Sequence, residues 1–152
     1  MYYNIPQHLI FALSLMGTAE IPGIKSNPEI DKWLKIVGLP EDDAIPHCAA
    51  FVNYCLHAVD IQGTGSGLAK SLLDWGYGCE FQVGAVVVIS RGKDVWKGHV
   101  GFILDESAGK LCILGANQMD RVGVNYYAAD RLLGYRWHRD IRTISLPRPV
   151  IL

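Results

Sequence analysis

Cys48 follows Pro46-His47 and opens the run Cys48-Ala-Ala-Phe-Val-Asn-Tyr-Cys-Leu-His57, in which apolar residues recur at helical spacing. A cysteine in the first turn of a buried helix meets unpaired backbone amides and the positive end of the helix dipole, and both favour thiolate over thiol. That is the setting of a nucleophile. Such a nucleophile needs a base within hydrogen-bond reach and a third group that holds the base in the useful tautomer. Gly98-His99-Val100-Gly101-Phe102 supplies a histidine on a strand-like segment, and Gly115-Ala116-Asn117-Gln118 supplies amides at the end of the next one. Pairing these segments through a tight turn sets Asn117 nearly opposite His99, while Gly98 and Gly101 leave room for a substrate backbone beside the imidazole. A thiolate–imidazolium pair of this kind lowers a thiol pKa from about 8.5 into the range of roughly 3.5–7.5. The backbone N–H of Cys48 would receive the oxyanion formed on attack.

The other candidates have plainer readings. Cys55 shares the Cys48 face but lies mid-helix and reads as core; Cys79 and Cys112 also read as structural, and His8, His57 and His138 as satisfied or solvated histidines. His47 adjoins the candidate nucleophile, yet neighbours diverge by about 100° at a helix start, so it does not easily serve as the base; it reads either as a residue that shapes the cleft or adds positive charge near the sulfur, or as a solvated loop histidine. Gly63-Thr-Gly-Ser-Gly-Leu-Ala-Lys70-Ser71 resembles a phosphate loop only at a glance, because no strand precedes it and no glycine adjoins the Lys-Ser pair. His47, Cys48, Cys55 and His57 lack zinc-ligand spacing. No metal and no cofactor are expected.

These residues must be positioned by a fold, and the chain's pattern divides in two. Helical spacing dominates the first half. Leu9, Ile10, Ala12, Leu13 and Met16 share a face between Pro6 and Gly17; Asn27-Pro28 caps a run carrying Ile30, Trp33, Leu34 and Val37; Cys48, Phe51, Val52, Cys55, Leu56 and Val59 form the strongest stripe. A short fourth helix is expected from near Ser66 toward Trp75. From Val83 onward β-branched and aromatic runs predict strands at 85–90, 99–105, 110–115, roughly 122–126 and 133–137, with Glu106-Ser-Ala-Gly109 as a hairpin turn. Helices followed by strands imply an α+β fold, with N-terminal helices covering one face of an antiparallel sheet of about five strands. The expected division is one domain over 1–138 and an irregular tail over 139–152.

The 152 residues are half hydrophobic, enough for one real core, and fourteen basic against fifteen acidic residues leave no block of charge to track nucleic acid. The apolar stretch from Leu9 to Met16 is too short to span a membrane, and no Lys or Arg precedes it as in a secretion signal. The reading is therefore of a chain made in the cytoplasm without a signal peptide.

Taken in order, Glu20-Ile-Pro-Gly23, Cys48-Ala-Ala-Phe-Val-Asn53, Gly63-Thr-Gly-Ser66 with Ala69 and Ser71, Trp75-Gly76, Gly84-Ala-Val-Val-Val88, Gly98-His-Val-Gly-Phe102, Asn117-Gln118 and Gly134-Tyr-Arg136 resemble the papain-like cysteine peptidases of the NlpC/P60 and CHAP type, most of all small phage-associated and bacterial proteins. The resemblance implies a papain-like fold and a peptidoglycan hydrolase, either an endopeptidase or an N-acetylmuramoyl-L-alanine amidase. Cys48 would be its nucleophile, His99 its base and Asn117 the third residue, with Gln118 as the substitute for that role. His47 and Gln118 are also expected to contact substrate. The chain departs from the pattern at His47, where those proteins have Trp. The implied partner is a peptidoglycan peptide, reached in the cell wall or periplasm by release or delivery. The alternatives are a non-catalytic cell-wall-binding or structural module on the same fold, and a deamidase or acyltransferase acting on protein side chains.

Overall fold

The computed structural model describes residues 2–22, 26–43, 46–93, 95 and 97–149, with Asn117 described by its backbone alone. In chain order these form β1 (Tyr2–Pro6), α1 (Gln7–Ser14), α2 (Pro28–Ile36), α3 (Cys48–Ala58), a 3₁₀ helix (Ala69–Asp74), β2 (Tyr77–Cys79), β3 (Val86–Ser90), β4 (Gly98–Ser107), β5 (Lys110–Gln118), β6 (Arg121–Ala128), a 3₁₀ turn (Ala129–Arg131), β7 (Leu132–Trp137) and β8 (Thr143–Pro147). The fold is α+β. Its main sheet has six strands in the order β2-β7-β3-β4-β5-β6, every neighbouring pair antiparallel.

Local chemistry explains most of these elements. Asn27 caps α2, its side chain accepting from the Glu29 amide at 2.9 Å, with Pro28 next, and Ile30, Trp33 and Leu34 are buried as their spacing requires. The sequence pattern for α1 holds only in part. Leu9 and Ala12 are buried, but Ile10, Leu13 and Met16 are 37%, 44% and 46% exposed, because the inward face is completed by His8 instead. The fourth helix is a 3₁₀ segment, and Leu68 ahead of it is 62% exposed.

α3 is apolar nearly all round, as befits a helix enclosed between α1, α2 and the sheet. Its one polar interior residue, Asn53, ties down the Gly63–Ser66 loop. Its Nδ2 donates to the Ala49 carbonyl at 2.9 Å and to Thr64 Oγ1 and the Ser66 carbonyl, both at 3.3 Å, and its Oδ1 accepts from the Gly65 amide at 3.0 Å. A Cβ on Gly63 would lie 2.1 Å from Asn53 Oδ1. The loop that looks like a phosphate cradle is thus wrapped around a carboxamide.

The five expected strands all occur, longer by one to three residues at most ends. Two features differ from expectation. Tyr77–Cys79 adds a sixth strand at the sheet edge, and the segment read as an irregular tail forms β8, which pairs with β1 from Tyr2↔Pro147 to Pro6↔Thr143. Both strands are short and largely exposed, so neither carries the apolar alternation that marks a half-buried strand. β4 and β5 join through Ala108 (φ 51°) and Gly109 (φ 73°), the left-handed pair of a two-residue hairpin turn. One sheet face, with Val86, Val88, Val100, Phe102 and Leu114, packs on the helices; the other carries a smaller cluster around Val87, Ile89, Ile103 and Ile113. Among the described residues no helix is long and apolar enough to cross a membrane.

His8 stores a pH dependence in this packing. It is fully buried against Phe102 and Trp137, Nε2 donates to the Gly84 carbonyl at 2.7 Å, and Nδ1 has no partner. Burial pushes its pKa down from 6.5 to about 4. Between those values the unfolded chain binds the proton and the folded chain does not, so stability falls as pH falls through this window. The expected loss is roughly 3 kcal/mol between pH 7 and pH 4. Urea unfolding across that range should show it, and His8→Leu should flatten the slope; an unchanged slope in the variant would contradict this assignment.

Candidate active site

Cys48 is the first residue of α3, with His47 at the N-cap contributing no side-chain cap. The helix-end amides therefore stay available to the thiol, and those of Cys48 and Ala49, with the Val100 amide from β4, all face the sulfur. The residue is 7% exposed and lines a cleft of about 400 Å³. Gly67, Leu68 and Ala69 form one part of its lining, and Arg91 and Lys97 from the β3–β4 connection, with Gly98 at the start of β4, form another.

His99 is the second residue of β4, paired with Ile89, and is 8% exposed. Its Nε2 lies 3.0 Å from Gln118 Oε1. How Gln118 gets there follows from strand register. Gly115 faces Gly123 across the β5–β6 ladder, yet Gln118 faces Arg121, so β5 carries one extra residue between these pairs. That bulge, closed by a turn with left-handed Met119 and Asp120, re-aims the end of β5. Gly115 lies beneath the pair: a Cβ there would stand 3.2 Å from Gln118 Oε1 and 3.4 Å from His99 Nε2. Gly101 has a different role from the one expected. A Cβ on it would come within 2.6 Å of Ile113 Cγ2 and the Leu114 carbonyl, so its missing side chain admits β5, not substrate.

The Gln118 carboxamide is saturated. Its Nε2 donates to the Ile113 carbonyl at 3.1 Å and the Gly123 carbonyl at 2.6 Å, while Oε1 accepts from Tyr127 Oη at 3.1 Å and faces the imidazole. Flipping the amide would turn its oxygen onto two carbonyl oxygens, so the orientation is determined by its surroundings. An amide oxygen only accepts. His99 Nε2 must then carry the hydrogen, which leaves Nδ1 of the neutral ring as the basic nitrogen. Tyr127 is held in turn: its ring centroid is 5.4 Å from that of His99, and Arg131 stacks over it at 5.1 Å while donating to the Ser90 carbonyl from Nε and Nη2 at 3.0 and 2.8 Å.

The resting charge state differs from the ion pair that the sequence suggests. Burial pushes the Cys48 thiol above its ordinary value, opposed by the Val100 and Ala49 amides and the Arg91 charge. Burial also pushes the His99 ring below its ordinary value, against the Gln118 hydrogen bond, with the Arg91 and Arg131 charges adding to the depression. A neutral thiol and a neutral imidazole are the states these shifts favour.

The predicted residues thus separate. Gln118 is 4% exposed and engaged on all sides, so it holds the ring and has no group left for substrate. His47 is 1% exposed and packs on Trp33 with centroids 5.8 Å apart, away from any surface that could touch substrate. Asn117 contributes backbone to β5, and its side chain lies outside the described residues. Sequence reasoning missed Tyr127, Arg131 and Arg91. The glycines at 115 and 123, which hollow one face of two strands, were the available signal for the first. No protein-family model matches the chain, and no curated protein matches it.

A saturated carboxamide is costly to remove. Gln118→Leu strands two carbonyls, a phenol and an imidazole N–H, so urea unfolding should show a loss of about 2–4 kcal/mol, whereas Tyr127→Phe should cost about 0.5–1.5. Equal losses in the two variants would contradict this network.

Proposed function

We propose that this protein is a cysteine hydrolase of amide bonds with a papain-like fold, and that its substrate is the peptide portion of peptidoglycan. The observation that carries the reading is the tautomer argument. A buried imidazole with Nδ1 left basic belongs to the residue next in sequence to Val100, whose amide faces the Cys48 sulfur, and Cys48 opens a helix and lines a cleft. Structural cysteines and histidines do not require this arrangement. An α3 helix opening with cysteine and packed on an antiparallel sheet that carries the histidine also suits the papain-like assignment. Peptidoglycan as substrate is supported by the ordered motif set from Glu20 to Arg136.

The chemistry is general-base catalysis from a neutral pair. As the Cys48 sulfur attacks the amide carbonyl, His99 Nδ1 takes the thiol proton and the imidazolium so formed is stabilised by Gln118 Oε1. The negative oxygen of the tetrahedral intermediate turns toward the Cys48 amide at the helix end. Its collapse breaks the C–N bond, the imidazolium passes its proton to the departing amine, and a thioester remains. Water, deprotonated by His99, attacks the thioester carbonyl and releases the carboxylic acid with the thiol restored. Gln118 supplies the orienting role first given to Asn117.

Purified peptidoglycan incubated with the wild type should release fragments bearing new carboxyl termini, read by mass spectrometry, and Cys48→Ala should release none. No release by either protein, or release by both, would overturn the reading. Because the free enzyme's base is depressed, the acid limb of kcat/KM should fall below pH 6.5, with activity rising as pH rises through it.

A further inference from the structure

The chain between β6 and β7 is too short for the main sheet to lie flat. These strands stand four spacings apart in the order β2-β7-β3-β4-β5-β6, roughly 19 Å across a flat sheet, yet the four residue steps from Ala128 to Leu132 reach at most about 14 Å. The sheet therefore curls, and its β6 edge comes round toward β3 and β7. Tyr127 on β6 and Leu132 on β7 accordingly pack on one apolar cluster with Ile89 of β3. Arg131, in the turn that closes this curl, spans the gap. Its Nε and Nη2 donate to the Ser90 carbonyl at the end of β3, at 3.0 and 2.8 Å, and its guanidinium lies over the Tyr127 ring at 5.1 Å.

A side chain that bridges the two sides of a curl holds what each side carries. On one side Ser90 pairs with Gly98, next to the pair of Ile89 with His99. On the other, the Tyr127 phenol donates to Gln118 Oε1 at 3.1 Å, and its ring centroid is 5.4 Å from that of the imidazole. We propose that Arg131 is a positioning residue for His99: tied to the strand beside the histidine, it fixes the Tyr127 ring, and through that ring both the imidazole and the oxygen that orients it. The inference rests on His99 being the base. The fork does the holding, because two donors on one carbonyl leave the guanidinium little freedom to turn. The charge acts separately. A cation one ring away disfavours a second positive charge on the imidazole, so Arg131 works with burial to keep the base neutral. Arg91 after β3 and Cys48 at the start of α3 also act on this pair of rings, and both stay in place when Arg131 is changed.

Two substitutions separate holding from charge. Arg131→Met keeps the packing of the stem and removes charge and donors, whereas Arg131→Lys keeps the charge and loses the fork. The His99 ring is titrated by nitrogen–proton correlations on each full-length protein at low salt, from about pH 8 to about pH 4.5, and kinetics are measured on purified peptidoglycan. In Arg131→Met the His99 midpoint should rise by roughly 0.3–0.7 pH, and the acid limb of kcat/KM should rise with it. In Arg131→Lys the midpoint should stay within about 0.2 pH of the wild type, while rings with hydrogen on Nδ1 become visible and kcat falls about three- to tenfold with KM unchanged. A merely structural side chain would lower activity in both variants and move neither the midpoint nor the tautomer, and that result overturns the proposal. An unchanged tautomer in Arg131→Lys overturns the holding role by itself, whether or not the Met variant folds. Midpoint and tautomer shifts as stated, without cleavage of peptidoglycan by the wild type, would keep Arg131 as the residue that holds the ring and remove the hydrolase reading.

Discussion

The orientation of one side-chain amide governs the rest of the site. Gln118 presents oxygen to His99 because its nitrogen is occupied by the Ile113 and Gly123 carbonyls, and that decides which imidazole nitrogen bears hydrogen. A hydrogen bond of this kind contributes only about 1 kcal/mol net to stability, but leaving its partners unmet in the interior costs more than making it gains. The amide is thus locked by the cost of its alternatives. The extra residue in β5 delivers it to the ring, and the absent side chain of Gly115 gives it room.

Two other buried carboxamide and carboxylate anchors serve the same end at longer range. Asn53 holds the Gly63–Ser66 loop to α3, which sets the approach of Gly67, Leu68 and Ala69 to the cleft. Asp43 Oδ2 accepts from the Ile21 and Asn27 amides at 2.8 and 2.9 Å, fastening the chain before α2 to the segment that leads toward Pro46 and α3. Each substitutes side-chain acceptors or donors for the regular ladders that loops lack. The surroundings of Cys48 are therefore built from irregular backbone made rigid by a few saturated polar groups, while the apolar core supplies the platform beneath them.

Periodicity made the platform legible. The Asn27-Pro28 start of α2, the apolar stripe of α3 and the β-branched and aromatic runs of β3 to β7 are visible in residue order alone, because burial imposes a period of 3.6 on a helix and favours such side chains in strands. Where the inward group is polar, the pattern misleads: His8 completes the α1 face that Leu13 and Met16 were expected to fill. The β1–β8 pair escaped notice because it joins opposite ends of the described chain with little burial. In the candidate site, Cys48 and His99 stood out from their neighbours in the sequence, but that Gln118 meets the His99 ring required the β5 bulge, a register feature that no local motif encodes. The charge state also required three dimensions, since burial at Cys48 outweighs the helix-end amides and residue order alone does not give the extent of burial.

The most direct measurement is the tautomer of His99, read from long-range nitrogen–proton correlations in the isotope-labelled protein at pH 7. A neutral ring with hydrogen on Nε2 and a bare Nδ1 is the predicted result, since Gln118 Oε1 can only accept and burial disfavours the charged form. Hydrogen on Nδ1, or an imidazolium at that pH, would contradict the account.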